Sequence, residues 1–321
     1  MGFLRSPFLH QKKYEVIQVS SKQKRRLTET LFLLPTLLAF VLVIIVPFIM
    51  GIYYSFTDWQ GTGAGGNIVG LANYQSIFKQ PAFLYSFLRT AQFTILNVVM
   101  VNIVAFLISL LVTSNIRGRN IYRAGFFIPN LIGGIVLGLV WQFIFSNILP
   151  AVGQALGIGA LSSSLISNGS TVMTTMVIVN VWQYAGYIML IYVAAIQGIP
   201  KSVMEAAEVD GAKYWTRILR IQVPLMANSF TISLFLTLTN SFKMYDVNVA
   251  LTNGGPTGVF RLGGATTVVQ SSELLALNIY QTAFKYNNMA EGQAKAVIFF
   301  LVLTIISIIQ VRYNKSKEVE M

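Results

Sequence analysis

Five stretches free of Asp, Glu, Lys and Arg punctuate this 321-residue chain: 30–57 (28 residues), 90–116 (27), 124–200 (77), 221–242 (22) and 296–311 (16). A helix needs about 20 apolar residues to cross the roughly 30 Å hydrocarbon layer of a bilayer. Within that layer, only structures that satisfy their own backbone hydrogen bonds survive. The third stretch is too long for one helix, and its middle, 146–170, is rich in Gly, Ser and Asn and holds Pro150, so it divides in two. Six spans follow, and the fold class is an all-α polytopic membrane protein. The last run is short, and Lys295 and Arg312 at its ends are expected to snorkel to the interface. Pro35 and Pro47 in the first span are read as packing kinks rather than as a site.

Composition narrows the function. With 55% hydrophobic and 11% charged residues, against about 25% charged in soluble domains, an ordinary soluble enzyme is excluded. There is no cysteine, and His10 is the single histidine. Thiol nucleophiles, disulfides and histidine clusters are therefore absent. No G-x-x-x-x-G-K-[ST] phosphate loop occurs, so the chain itself is not expected to hydrolyse nucleotide. The five long spans carry no ionisable Asp, Glu, Lys, Arg or His, which disfavours a proton- or ion-coupled carrier, since such carriers keep charged groups within the membrane. No cofactor or metal is expected.

The net charge of +12 reads as topology, not as nucleic-acid binding. Residues 1–28 hold seven Lys and Arg, 113–123 three, 197–223 four and the tail from Arg312 three, whereas the opposite side has Lys79, Arg89, Lys243, Arg261 and Lys285. Basic loops stay in the cytoplasm, so both termini are expected there, in a plasma (inner) membrane protein surrounded by lipid. The polar leader and the length of the first span argue against a cleaved signal peptide. The expected organisation is a cytoplasmic extension 1–28, a membrane domain 29–313 with a cytoplasmic loop 200–225 and an external loop 243–291, and a tail 314–321. The loop from Asp58 to Lys79 is glycine-rich, and Asn253-Gly254-Gly255-Pro256 is a strong turn signal. For Leu274 to Phe284 two readings stay open: an amphipathic helix near the membrane surface, or a packed helix capping the bundle.

The most informative segment is Glu205-Ala206-Ala207-Glu208-Val209-Asp210-Gly211, followed by nine residues and then Ile221-Gln222-Val223-Pro224. Lys201 to Asp210 reads as a short helix, Gly211 as its left-handed stop, Ala212 to Val223 as a second helix, and Pro224 as the start of the fifth span. Physically this is either a docking knob for a partner protein or a plain structural loop. The pattern E-A-A-x3-G-x9-I-x-L-P, matched here with Val223 in place of the leucine, resembles the signature loop of permease subunits of ATP-binding-cassette importers. Gly70-Leu71-Ala72-Asn73-Tyr74, Phe126-Phe127-Ile128-Pro129-Asn130, Trp141 and Leu251-Thr252-Asn253-Gly254-Gly255-Pro256 resemble the carbohydrate-uptake branch, the MalF-like and UgpA-like permeases. The resemblance covers roughly 28–313 and departs at 259–272, which looks longer than usual.

That resemblance implies a type I importer of the MetI-like fold. Two permeases, the second MalG-like, would form the pathway, two ATP-binding-cassette ATPases would grip their coupling helices, and an extracytoplasmic binding protein would deliver a carbohydrate. Glu205, Ala206, Ala207, Asp210 and Gly211 would make the ATPase-coupling contact. This subunit would itself be non-catalytic.

Polar residues inside apolar spans are candidates for the solute path: Asn180, Trp182, Gln183 and Tyr187 in the fourth span, and Asn240, Ser241, Lys243, Tyr245 and Asp246 at the outer end of the fifth. By resemblance to the maltose permease, the cavity positions fall on Asn130, Asn180, Gln183, Tyr187, Ser241 and Lys243. The competing reading is interhelical hydrogen bonding, worth about 0.6 kcal/mol per bond. Lys243 and Asp246 either pair on one helix face or leave Lys243 free, which would favour an acidic saccharide over a neutral one. A polyol or glycerophosphodiester is the further alternative.

Overall fold

The computed structural model describes residues 21–315 apart from 64 and 263; most of the basic extension, with Arg5, His10, Lys12 and Lys13, and the tail beyond 315 lie outside the described residues. The chain divides into two units, Met1–Gly51 and Ile52–Met321. The first contains most of α1 (Thr28–Tyr54), which widens to a π-turn at Val41–Ile45.

In the second unit, α2 (Ala72–Lys79) leads into α3 (Pro81–Thr113), which starts on a proline that lacks only a donor the first turn would leave unpaired. Then come α4 (Arg119–Phe127), α5 (Gly134–Ala155), α6 (Val172–Gly198), α7 (Lys201–Val209), α8 (Tyr214–Leu225), α9 (Ala227–Phe242) and α10 (Asp246–Leu251). A hairpin of β1 (Thr257–Leu262) and β2 (Ala265–Gln270) follows, then α11 (Leu275–Tyr280) and α12 (Met289–Lys315). Five helices, α1, α3, α5, α6 and α12, are long and apolar enough to span a bilayer, and the sixth expected span falls mainly on α9, which is bent by 73° from α8 at Met226. The bend has a cause. Pro224 offers no N–H to the preceding turn, and a π-turn at Ile218–Gln222 has already loosened the ladder.

The bundle is organised on α3 and α6, against which α9 packs. One apolar cluster gathers Phe93, Leu137, Met176, Val179, Leu251 and Leu274, and another gathers Val101, Ala105, Ile188, Met189, Tyr192 and Met226. Close approach depends on two missing side chains: a methyl on Gly186 would overlap the Phe126 carbonyl, and one on Gly138 would lie 2.5 Å from the Ala250 Cβ. Small residues at such crossings are how membrane helices gain packing contact. Polar side chains add crosslinks. Asn97 Nδ2 donates to Asn180 Oδ1 and to Ser241 Oγ, both at 2.7 Å, joining α3, α6 and α9. Further along α6, Tyr192 hydrogen-bonds Asn102 and Ser233, and Asn102 Nδ2 donates to Thr237 Oγ1 at 3.0 Å.

One expectation is corrected, for Lys295, two open readings are decided, and the helical fold gains one detail. The helical fold carries a β-hairpin, at the segment that departs from the resembled family. Its strands are rich in β-branched Val and Thr, Leu262 pairs with Ala265 across the turn, and Gly264 takes φ +84°. The segment after the hairpin does not lie on the membrane surface: Leu274, Leu275, Leu277 and Ala283 are buried, so α11 caps the bundle. Lys295 does not snorkel but is buried, bonded to Thr282 and Glu291. Lys243 and Asp246 share no helix face, because α9 ends at Phe242 and α10 begins at Asp246.

Candidate functional site

Two features of the bundle bear on function, a polar cavity near the C-terminal end of α9 and the projecting knob formed by α7 and α8. The cavity, about 270 Å³, is lined by Asn130 and Gly134 from the α4–α5 link, Asn180, Gln183 and Tyr184 from α6, Asn240 from α9, the break Lys243-Met244-Tyr245, and Asp246 and Val247 of α10. The break makes the site. By ending one helix and starting another three residues later, the chain brings a lysine, a tyrosine and an aspartate to the wall. Gln183 Nε2 donates to the Ile132 carbonyl at 3.0 Å, tying α6 to the α4–α5 link.

The two charges in the wall differ in their surroundings. Gly134 has no side chain, so the first turn of α5 comes within contact of Asp246: a Cβ there would lie 2.7 Å from the Asp246 Cβ and 3.5 Å from its Oδ2. The carboxylate thus sits where unpaired backbone N–H groups favour an anion. Lys243 is exposed, and among the described residues no carboxylate lies within ion-pairing distance of it. Burial and then the neighbouring Tyr280 phenol raise the pKa of Tyr245, which stays a neutral hydroxyl. The wall thus offers amides, hydroxyls, one cation and one anion, a set suited to a hydroxyl-rich solute.

Of the seven expected pathway residues, five line this cavity: Asn130, Asn180, Gln183, Asn240 and Lys243. Asn180 also accepts the Asn97 bond, so it belongs to both wall and crosslink. Ser241 is fully buried, accepting from Asn97 and donating to the Thr237 carbonyl at 2.6 Å. Tyr187 lies off the cavity with its ring 5.3 Å from that of Tyr184. Tyr184 was missed, although the spacing 180, 183, 184, 187 marks one helix stripe. Trp182 faces elsewhere, into a groove of about 800 Å³ between α3, α4 and α6. That groove is larger but lined mainly by apolar side chains such as Val104, Ile108, Phe126 and Val181, and offers a polar solute few partners.

The knob is α7, its stop and α8, the segment expected on the cytoplasmic side. Gly211 adopts φ +76°, Ala212 N–H donates to the Ala207 carbonyl at 2.9 Å and Gly211 N–H to the Glu208 carbonyl at 3.0 Å. This is the double closure in which a left-handed residue satisfies the last helical carbonyls. A 2.8 Å ion pair from Arg217 to Glu208 ties the second helix to the first. Glu205, Ala206 and Asp210 are exposed, whereas Ala207 is buried and packs inward. Val209 (87% exposed), Trp215 and Leu219 present apolar surface on the knob.

The sequence family described as binding-protein-dependent transport system inner membrane component matches residues 102–318. The probable starch degradation products transport system permease protein AmyD of Thermoanaerobacterium thermosulfurigenes is 44% identical, over 91% of this chain and 95% of that protein. The multiple sugar-binding transport system permease protein MsmF of Streptococcus mutans is 28% identical, over 90% and 95%. The fold is also that of a chain of a bacterial alginate ABC transporter, solved in complex with an alginate pentasaccharide-bound periplasmic protein, with a TM-score of 0.75 at 17% identity over 90% of this chain and 94% of that one. On the family match and the AmyD likeness together, this chain belongs to the inner membrane components of binding-protein-dependent transport systems.

Proposed function

We propose that this chain is one permease subunit of an ATP-binding-cassette importer for a sugar or oligosaccharide. It forms half of the translocation pathway with a second permease, receives the solute from an extracytoplasmic binding protein, and is driven by two ATPase subunits that grip the coupling helices of the two permeases, here the α7–α8 knob. Both termini are cytoplasmic, as the distribution of lysine and arginine implies. No step of chemistry falls to this subunit. The ATPases' closure moves the knob as a rigid body, and the spans follow.

The observation that carries this reading is the polar cavity itself. Asn130, Asn180, Gln183 and Asn240 converge from three separate chain segments on one concave wall inside an apolar bundle. Such convergence of amides is what a hydroxyl-rich solute needs. The names of AmyD and MsmF, which specify starch degradation products and multiple sugars, support the same solute class. The test is reconstitution in liposomes with the partner subunits. Uptake of a neutral oligosaccharide that requires both the ATPases and the binding protein is the expected result. Uptake by this chain alone, or by the full complex for no carbohydrate, sinks the proposal.

One observation favours a second solute class. Lys243 stands in the wall without a carboxylate partner among the described residues, while Asp246 lies beside the start of α5. A cavity biased towards positive charge accepts an acidic saccharide or a glycerophosphodiester better than a wall of amides would. Competition of such solutes with the neutral sugar in the same liposomes separates the two.

A further inference from the structure

A second polar cavity, about 370 Å³, lies on the external side, with none of its lining shared with the first. It is walled by Gln80 and Ala82 at the start of α3, by β2, by Glu273, Asn278 and Thr282 around α11, and by Glu291 and Lys295 of α12. Its rim residues Val268, Tyr286 and Asn288 are exposed. Three charged groups meet inside it, two carboxylates and one ammonium.

Their hydrogen bonding is uneven. Glu291 Oε1 accepts from Gln80 Nε2 at 2.8 Å and from Lys295 Nζ at 3.2 Å, and its Oε2 accepts from Asn288 Nδ2 at 2.9 Å. Lys295 Nζ also donates to Thr282 Oγ1 at 2.8 Å. That pair is served. Glu273, 6% exposed, accepts a 3.2 Å bond from Asn278 Nδ2, while Asn278, 7% exposed, keeps an Oδ1 with no donor. Lys295 is bonded to Glu291 and Thr282 and reaches Glu273 only through its charge, as Lys285 does from the exposed rim, while the Ser86 hydroxyl also stabilises the Glu273 carboxylate. The cavity thus holds two carboxylates to one buried ammonium, with no direct ion pair at Glu273 among the described residues, next to an amide oxygen short of a donor. Burial pushes the Glu273 pKa up, the work of a site that would gain from a positive charge arriving.

We propose that this cavity receives a lysine or arginine side chain of the extracytoplasmic binding protein, anchoring it to the permease at a point away from the solute path. The inference rests on the importer reading above. Charge complementarity identifies the occupant: the free valences are acceptors, and the buried charge is net negative. A basic side chain supplies several donors and one positive charge at once. A saccharide would need donors and acceptors in balance. The rim ring of Tyr286 gives the incoming aliphatic stem, or its cation, a face to lie on.

The experiment uses the reconstituted complex and measures the binding-protein concentration that half-maximally stimulates ATP hydrolysis, at low and high salt. Glu273→Gln keeps the shape and the Asn278 bond. It should raise that concentration about tenfold or more, leave the maximal rate unchanged and flatten the salt dependence. Asn278→Leu, which deletes the orphaned acceptor, should shift it in the same direction by less. Half-maximal concentrations equal to wild type in both variants overturn the proposal. So does methylammonium at millimolar concentration if it stimulates the wild type in place of the binding protein, which would make this a site for a free cation. A wild-type complex that no binding protein stimulates refutes the importer reading and this inference together. A stimulated wild type with an indifferent Glu273→Gln refutes only the inference.

Discussion

The stop at Gly211 offers a test in which a single backbone angle is varied. Its φ of +76° is the left-handed conformation, and a Cβ built there meets nothing within 4 Å. Substitution therefore adds no clash, and the cost is that of holding an L-residue left-handed, about 1–2 kcal/mol, less for Asn and more for β-branched residues. If the knob must be closed to be gripped, that cost subtracts directly from docking free energy. At 1.4 kcal/mol per decade, affinity for the ATPase should fall about 5- to 30-fold for Gly211→Ala, least for Gly211→Asn and most for Gly211→Val. Titration of purified ATPase onto the permease pair in nanodiscs, with solute-stimulated hydrolysis read in parallel, gives the series. Gly211→Pro should abolish docking, because proline cannot reach this φ and loses the N–H bonded to Glu208. Equal affinities for Asn, Ala and Val would refute the reasoning, since the turn would then play no part in recognition.

Other consequences are as specific. Asn97→Ala deletes both bonds at the α3–α6–α9 crossing and should destabilise the detergent-solubilised complex by about 1–2 kcal/mol without altering solute preference; a changed preference with an unchanged melting temperature contradicts it. Gly186→Ala drives a methyl into the Phe126 carbonyl, and assembled protein should fall sharply in membrane extracts, whereas normal yield would mean that α4 moves freely against α6. Lys243→Gln should weaken uptake of an acidic saccharide by about tenfold and a neutral one by much less; equal effects would place the ammonium outside the path. At Glu273, burial raises the pKa, so the stability tied to its proton is complete below the ordinary carboxylate range and is lost as pH rises through the raised value. Glu273→Gln should therefore gain thermal stability over wild type on going from about pH 4 to about pH 8, and a difference that does not vary with pH rules out ionisation of this group as the cause.

Legibility in the sequence followed the range of the interaction concerned. The spans were readable because dehydration acts on each 20-residue window by itself, and the Gly211 stop because left-handed closure is decided within six residues. The break at Lys243–Tyr245 was not, so the choice between a Lys243–Asp246 pair and a free Lys243 stayed open, since neither residue type ends a helix and the cause is packing of α10 on α5. The hairpin escaped because Thr257 to Gln270 is short and adjoins a glycine-rich turn, so its alternation was masked. Within the cavity, Asn180 and Gln183 stood out as amides in an apolar run, whereas Tyr184 passed as one more aromatic. Ser241 and Tyr187 are polar groups of the same kind as those in the wall, and only the rotation of each helix puts them to one side of it. Lys295 was misplaced because Thr282 lies in a preceding segment, and no local rule brings the two together.

The external cap has a bearing on how the protein is made. Two bonds that tie it down, Leu275 N–H to Thr90 Oγ1 and Gln80 Nε2 to Glu291 Oε1, join residues 185 and 211 positions apart. At ribosomal speeds of about 5–20 residues per second, Thr90 waits roughly 10–40 s for its partner. Throughout that interval this end of the early spans stands incomplete, with Gln80, Thr90 and Phe83 lacking the α11–α12 surface that covers them. The cap is thus the last seal made on this end of the bundle, and a nascent chain stalled before its final span would leave that end open.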